Sequence, residues 1–172
     1  MLPVGSTHSM VGRQRRMKPK VELGIDPGST SGHYAMLHNA DGEWTVHITA
    51  FKNVTLAEFF NDLKDLTEEC DVEAVAEVVH AFPGMSAIAT SSFMKNFGHI
   101  EMALAASGIP TRYVSPQAWM KYYGVKKDKG ESKTVWKKRL REVLQQRLPH
   151  VECTTEQADA VLIALYGRCT RV

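Results

Sequence analysis

Cysteine is scarce. Cys70, Cys153 and Cys169 are odd in number and far apart, and no CxxC pair occurs. That argues against a disulfide framework and a structural zinc, and it fits a reducing cytoplasm. The seven histidines form no HExxH or HxxxH pair, so a histidine-built metal centre is not expected. No apolar run reaches the length of about eighteen residues needed to span a membrane. The first twenty residues lack both acids and an apolar signal core, so export is not expected. They are Arg-rich like an organellar transit peptide, but their two serines make a thin match.

What is present fits one domain of ordinary size: 172 residues, 44% hydrophobic and 23% charged. The net charge of +2 conceals a segregation. Residues 1–20 carry Arg13, Arg15, Arg16, Lys18 and Lys20 and read as a flexible basic tail, leaving a domain over 21–172. Residues 121–141 carry nine Lys/Arg against Asp128 and Glu131. The rest of the chain is therefore net acidic. Positive charge gathered in two places suits a polyanionic partner, although a solvated helix face and a tail would look the same.

Val21 to Ile25 is a short apolar run that meets the turn Asp26-Pro27-Gly28, the mark of a buried strand. Tyr34 to Leu37 is a second strand. After the turn Asn39-Ala40-Asp41-Gly42, the alternation of Trp44, Val46 and Ile48 gives a third, completing an antiparallel meander. Thr55 and Glu58 form a capping box before the helical stripe Leu56, Phe59, Phe60, Leu63 and Leu66. Ala74 to Val79 lacks alternation, as a central strand does. A helix bearing Phe93, Phe97, Ile100 and Leu104 stops at Gly108 and Pro110, and Arg112 to Val114 is a fifth strand. A short helix opens at Ser115-Pro116 and runs through Tyr122. A basic helix runs to about Leu148, and Thr154 with Gln157 caps a last helix from about Thr155 to Cys169. The order βββαβαβααα predicts an α/β domain: a five-stranded mixed sheet, three antiparallel strands and then parallel ones, flanked by helices.

Four carboxylates stand out in this order. Asp26 ends the first strand and Glu77 lies near the end of the fourth. Glu156 and Asp159, three apart in the first turns of the last helix, share a face. If the first and fourth strands are neighbours, Asp26 and Glu77 emerge side by side and the last helix closes the site. Such a cluster repels itself unless cations neutralise it, and hard oxygen ligands select Mg²⁺, with Mn²⁺ as substitute. Two ions about 4 Å apart would serve an in-line displacement at phosphorus. Each acid also has an ordinary reading. Asp-Pro-Gly is a common turn, and acids at a helix N-terminus gain from its dipole. Glu77, set among valines, is the costly one.

Four blocks carry a resemblance. They are Gly24-Ile25-Asp26-Pro27-Gly28-Ser29-Thr30-Ser31-Gly32; Glu77-Val78-Val79-His80-Ala81-Phe82-Pro83-Gly84-Met85, leading into Phe97-Gly98; Val114-Ser115-Pro116-Gln117-Ala118-Trp119-Met120-Lys121; and Glu156-Gln157-Ala158-Asp159-Ala160-Val161-Leu162-Ile163-Ala164. In this order, across residues 21–169, they resemble the RuvC family of Holliday-junction resolvases. The likeness is to its phage and organelle-like branch, within the RNase H-like (retroviral integrase) fold. The resemblance implies catalytic, metal-holding carboxylates at Asp26, Glu77, Glu156 and Asp159. Glu156 stands where bacterial housekeeping members usually carry Asp, a subfamily mark. It further implies lysines near the scissile phosphate, Lys121 by motif and Lys133 by spacing, and 5′-phosphate and 3′-hydroxyl products. It also implies a homodimer that presents two sites to a two-fold related four-way junction.

The expected DNA contacts are Ser29, Phe82, Lys121, Lys126, Lys127, Lys133, Lys137 and Arg141. Phe82 belongs to the loop that meets the junction crossover in the family, and Lys133, Lys137 and Arg141 recur every four residues as a stripe. Trp119 reads as core. Rival readings are another branched-DNA or RNA–DNA hybrid nuclease on the same fold, a non-catalytic DNA-binding module, and an actin-like ATPase domain. The ATPase needs a second domain that 172 residues do not supply.

Overall fold

Along strand β1 (Lys20–Asp26), Val21, Leu23 and Ile25 point to one face of the sheet, while Glu22, Gly24 and Asp26 point to the other. This alternation sorts the interior into two layers. The computed structural model describes residues 17–28, 30–80 and 84–171. β2 (His33–Ala40) and β3 (Glu43–Ala50) extend β1 as an antiparallel meander, turning at Asp41 and Gly42 with φ of 53° and 90°. Positive φ at both positions matches the right-handed twist of a two-residue hairpin. β4 (Asp71–Glu77) pairs parallel with β1, and β5 (Thr111–Val114) pairs parallel with β4. The sheet order is β3-β2-β1-β4-β5, the mixed five-stranded sheet expected from the sequence.

Helices α1 (Leu56–Glu69) and α2 (Ala87–Ala106) cover one face, with Phe59, Leu63, Ile100 and Leu104 packed on Leu23, Ile25, Ala74 and Ala76. The Thr55–Glu58 capping box forms as anticipated. Helices α3 (Pro116–Tyr122), α4 (Lys133–Arg147) and α5 (Ala158–Cys169) cover the other face. There Trp119, Trp136, Leu140 and Leu144 pack around a helix α5 buried continuously from Ala158 to Leu165. Among the described residues no helix is long and apolar enough to cross a membrane.

Boundaries differ from expectation in several places; the strand expected over Ala74 to Val79 is β4 and ends at Glu77. β1 begins at Lys20, and Lys18 Nζ donates to the Thr67 carbonyl at 2.7 Å, so Lys18 and Lys20 of the segment read as tail pack on the domain; residues 1–16 of that segment lie outside the described residues. At the other end, residues 155–157 form a turn and α5 begins only at Ala158. The Thr154 amide donates to Gln157 Oε1 at 2.8 Å, which is one of the two bonds of a capping box. Glu156 therefore sits before the helix, not on its first turn.

Candidate active site

Gly24 is where the site begins. A Cβ at this position would lie 2.2 Å from the Ala160 carbonyl oxygen and 2.4 Å from the Ala164 amide nitrogen. Only glycine lets α5 rest its backbone on β1. Asp159, next to Ala160, is thereby held over the end of β1, where Asp26 emerges. Beyond Asp26 the chain folds back tightly. A Cβ on Gly32 would meet the Asp26 carbonyl oxygen at 2.5 Å, and the Gly32 amide donates to the Gly28 carbonyl at 3.1 Å. β4 supplies the third carboxylate. Ile25 pairs with Ala76 in parallel register, so Asp26 and Glu77 are the next residues out, on the face that Gly24 and Val75 turn to α5.

The three acids act on one another. Burial raises Asp26 well above the usual carboxylate range, and Asp159 and Glu77 push it further, against the pull of Lys137 and Lys133. Burial raises Glu77 to about 7; the hydrogen bond from Trp119 opposes this and the charge of Asp159 adds to it. Burial also raises Asp159, which Lys137, His33 and Lys133 pull back. The Trp119 indole Nε1 donates to Glu77 Oε2 at 2.6 Å. Lys137 Nζ, reaching across from α4, donates to Asp159 Oδ2 at 2.5 Å. Burial opposes the charge on Lys137, but Asp159, Asp26 and Glu77 outweigh it, and its pKa is raised.

The other expected residues are dispersed. Glu156 is exposed, held below its ordinary pKa by a hydrogen bond from the Thr155 hydroxyl at 2.9 Å, and lies within electrostatic reach of Lys137 and His33. Lys133 is exposed on the first turn of α4, near enough to act on Asp26 and Asp159. Lys121 lies exposed in the last turn of α3, and Lys126 and Lys127 lie exposed between α3 and α4. The stripe Lys133, Lys137, Arg141 does not face solvent as a unit. α4 packs Trp136, Leu140 and Leu144 inward, which turns Lys137 toward Asp159 and sets Arg141, half-buried, against the Cys153 thiol. Ser29 and Phe82 lie outside the described residues.

Sequence reasoning missed three features. Trp119 is core, as expected, yet it also positions Glu77. Lys137 is a partner of the acids and not a member of a solvent-facing stripe. His33, paired with Asp26 across β1 and β2, is buried on the α5 face with Nδ1 unpartnered, and burial lowers its pKa. Alternation with Ala35 and Leu37 on β2 was the available signal for His33.

The donor set suits a hard divalent cation, with carboxylate oxygens at Asp26, Glu77 and Asp159. Asp159 Oδ1 is buried without a hydrogen-bond partner, as a ligand awaiting a cation would be. As the side chains stand, no three His, Cys, Asp or Glu groups among the described residues are gathered tightly enough to hold one ion. Asp159 is instead engaged by Lys137.

No protein-family model and no curated protein matches the chain. Solved structures do. Thermus thermophilus RuvC in complex with a Holliday junction substrate superposes with a TM-score of 0.58 at 15% identity, covering 88% of this chain and 96% of that one. The chain has the RuvC fold. A second Thermus thermophilus RuvC structure matches with a TM-score of 0.50 at 16% identity, over 85% of this chain and 92% of that one. The Fowlpox virus resolvase, in complex with its substrate Holliday junction DNA, matches with a TM-score of 0.50 at 14% identity, over 88% and 99%. On this RuvC fold, the chain's own carboxylates lie where its two central parallel strands end beneath α5.

Proposed function

We propose that the protein is a metal-dependent endonuclease that cuts branched DNA, with the four-way junction as its substrate. The observation that carries this reading is the convergence of half-buried Asp26 and Glu77, at the ends of β1 and β4, with buried Asp159 on α5, beside a segment rich in exposed lysines. Three mutually repelling acids withdrawn from solvent are costly for a structural role and suited to holding cations. The junction DNA bound by two of the proteins that share the fold supports the choice of substrate.

Asp26, Glu77 and Asp159 would hold the ion, with Glu156 at the rim. Mg²⁺, or Mn²⁺ in its place, supplies charge neutralisation and activation for phosphodiester hydrolysis. The chain's own groups do the rest. Trp119 fixes the orientation of Glu77. Lys133 and Lys121 offset negative charge on the phosphate as water adds its oxygen to phosphorus and the P–O3′ bond breaks, the proton passing to the 3′ oxygen. The products are a 5′-phosphate and a 3′-hydroxyl. Paired incision requires two sites, which a two-fold homodimer provides. Its interface is α2, whose Ile88, Met94 and Met102 are exposed.

The test incubates the protein and Mg²⁺ with labelled four-way junction, flap, linear duplex and RNA–DNA hybrid, and maps the cuts. Symmetric incisions near the crossover are expected, and Glu77→Gln should reduce them by orders of magnitude while junction binding persists. Preferential cutting of hybrid would favour the other nuclease reading. Equal cutting by Glu77→Gln and wild type would remove the carboxylate mechanism.

A further inference from the structure

We propose that Lys137 is the resident counter-ion of the carboxylate cluster and competes with the divalent cation for Asp159, so that the site loads only when its ammonium moves away. This rests on the reading that these carboxylates bind a divalent cation. Three observations carry it. First, Lys137 Nζ lies 2.5 Å from Asp159 Oδ2, and the two side chains keep only 18% and 11% of their exposure. Second, the pairing is one-sided, because Asp159 Oδ1 is buried with no partner. Third, Lys137 answers to all three acids and not only to the one it touches. One ammonium set against three acids leaves the cluster short of positive charge, yet it engages one oxygen of the carboxylate whose free oxygen a metal would use.

Lysine suits this role. Its charge sits on a flexible four-carbon stem, so it can leave by rotamer changes without moving α4. Exposed Lys133 lies one turn earlier on the same helix, so solvent is close by. Without Lys137 the metal-free protein would hold buried acids uncompensated, at a cost in stability. The same removal would free Asp159 for metal. Lys137 is thus a positioning residue whose removal separates two quantities that normally fall together: stability falls and metal affinity rises.

The probe is Mn²⁺ alone, titrated into the full chain by calorimetry and paramagnetic resonance, alongside melting curves with and without Mn²⁺. For Lys137→Met and Lys137→Gln, Mn²⁺ affinity should rise about tenfold or more over wild type. The metal-free melting temperature should fall, and Mn²⁺ should restore more of it than in wild type. Lys137→Arg, which keeps the charge, should bind like wild type. In the wild type itself, the protected Lys137 ammonium resonance should shift or vanish when Mg²⁺ is added, a readout that needs no variant to fold. Unchanged or weaker Mn²⁺ binding by the neutral variants, or an ammonium signal indifferent to Mg²⁺ while wild type binds Mn²⁺, would overturn the competition but leave the metal reading intact. Absence of Mn²⁺ binding in wild type and every variant would overturn both.

Discussion

The indole Nε1 of Trp119 donates to Glu77 Oε2 at 2.6 Å, and the Trp119 side chain is completely withdrawn from solvent. Helix α3 therefore reaches the candidate site through one hydrogen bond to a carboxylate that burial has already made reluctant to ionise. The bond favours the charged form, so its removal should raise the Glu77 pKa above about 7. In metal-free Trp119→Phe, carboxyl carbon resonances should show Glu77 titrating at higher pH than in wild type. Melting should show a destabilisation of about 1–3 kcal/mol. A Glu77 titration that does not move would detach α3 from the site.

Gly24→Ala tests the contact between α5 and β1. The atoms that a new methyl would meet are backbone atoms of Ala160 and Ala164 and the Ala164 Cβ, none of which can rotate away. Overpacking of this kind costs about 1–3 kcal/mol or more. Cleavage should fall further than stability alone explains, because α5 carries Asp159. Full cleavage at temperatures where the variant stays folded would show that the helix position is not critical.

The exposed lysines should set the salt dependence of DNA binding. Replacing Lys126, Lys127 and Lys133 together with Ala should weaken binding to every DNA. For each phosphate that a lysine no longer neutralises, the slope of log K against log salt should become shallower by about 0.9 on duplex arms. Arg141→Ala should instead lower the melting temperature with little effect on that slope, since Arg141 packs against Cys153. An unchanged slope in the triple variant would mean that the loop and the start of α4 are only solvated.

Glu22 lies at the opposite end of β1 from Asp26, 3% exposed, with Arg171 Nη2 at 2.5 Å from Oε2. Burial raises its pKa to about 7, with Arg171 opposing and Glu73 adding. A raised folded-state pKa gives stability that is complete below about 4.5 and disappears as pH climbs through about 7. The decrease is on the order of 3 kcal/mol for a shift of this size. Melting temperature should fall across that window in wild type, and Glu22→Gln should remove this part of the slope. Identical pH profiles would rule out Glu22 as its source.

The proposed homodimer is tested by light scattering at micromolar concentration, with and without junction DNA. Ile88→Glu with Met102→Glu should turn dimer into monomer and uncouple the two incisions. A wild type that is monomeric under both conditions would end the two-site scheme.

The strands were legible because Val21 to Ile25 and Ala74 to Val79 are largely apolar, each interrupted by a single glutamate. The β1–β4 adjacency that sets Asp26 beside Glu77 was only a condition in the sequence, and the parallel pairing of the two strands meets it. Glu156 was misplaced because Thr154 and Gln157 carry a capping signature that also closes a simple turn, and here the turn runs to Gln157 before the helix starts. Lys137 was misread because its periodicity with Lys133 and Arg141 describes a helix face, not what that face meets. Only the packing of Leu140 and Leu144 around α5 decides that. The Trp119 hydrogen bond joins residues 42 positions apart, and no local pattern announces it.

The seating of α5 on the bare backbone at Gly24 also divides the domain by its tolerance of change. Two of the three acids lie on central strands and the third on a helix that cannot shift by a methyl group, so that half works as an anvil. The loop from Gly124 to Ser132 and the lysines around it bear on none of those backbone contacts. Lengthening or shortening that loop is open to this chain without disturbing the spacing of the acids, and under the proposed function substrate preference would have room to drift there.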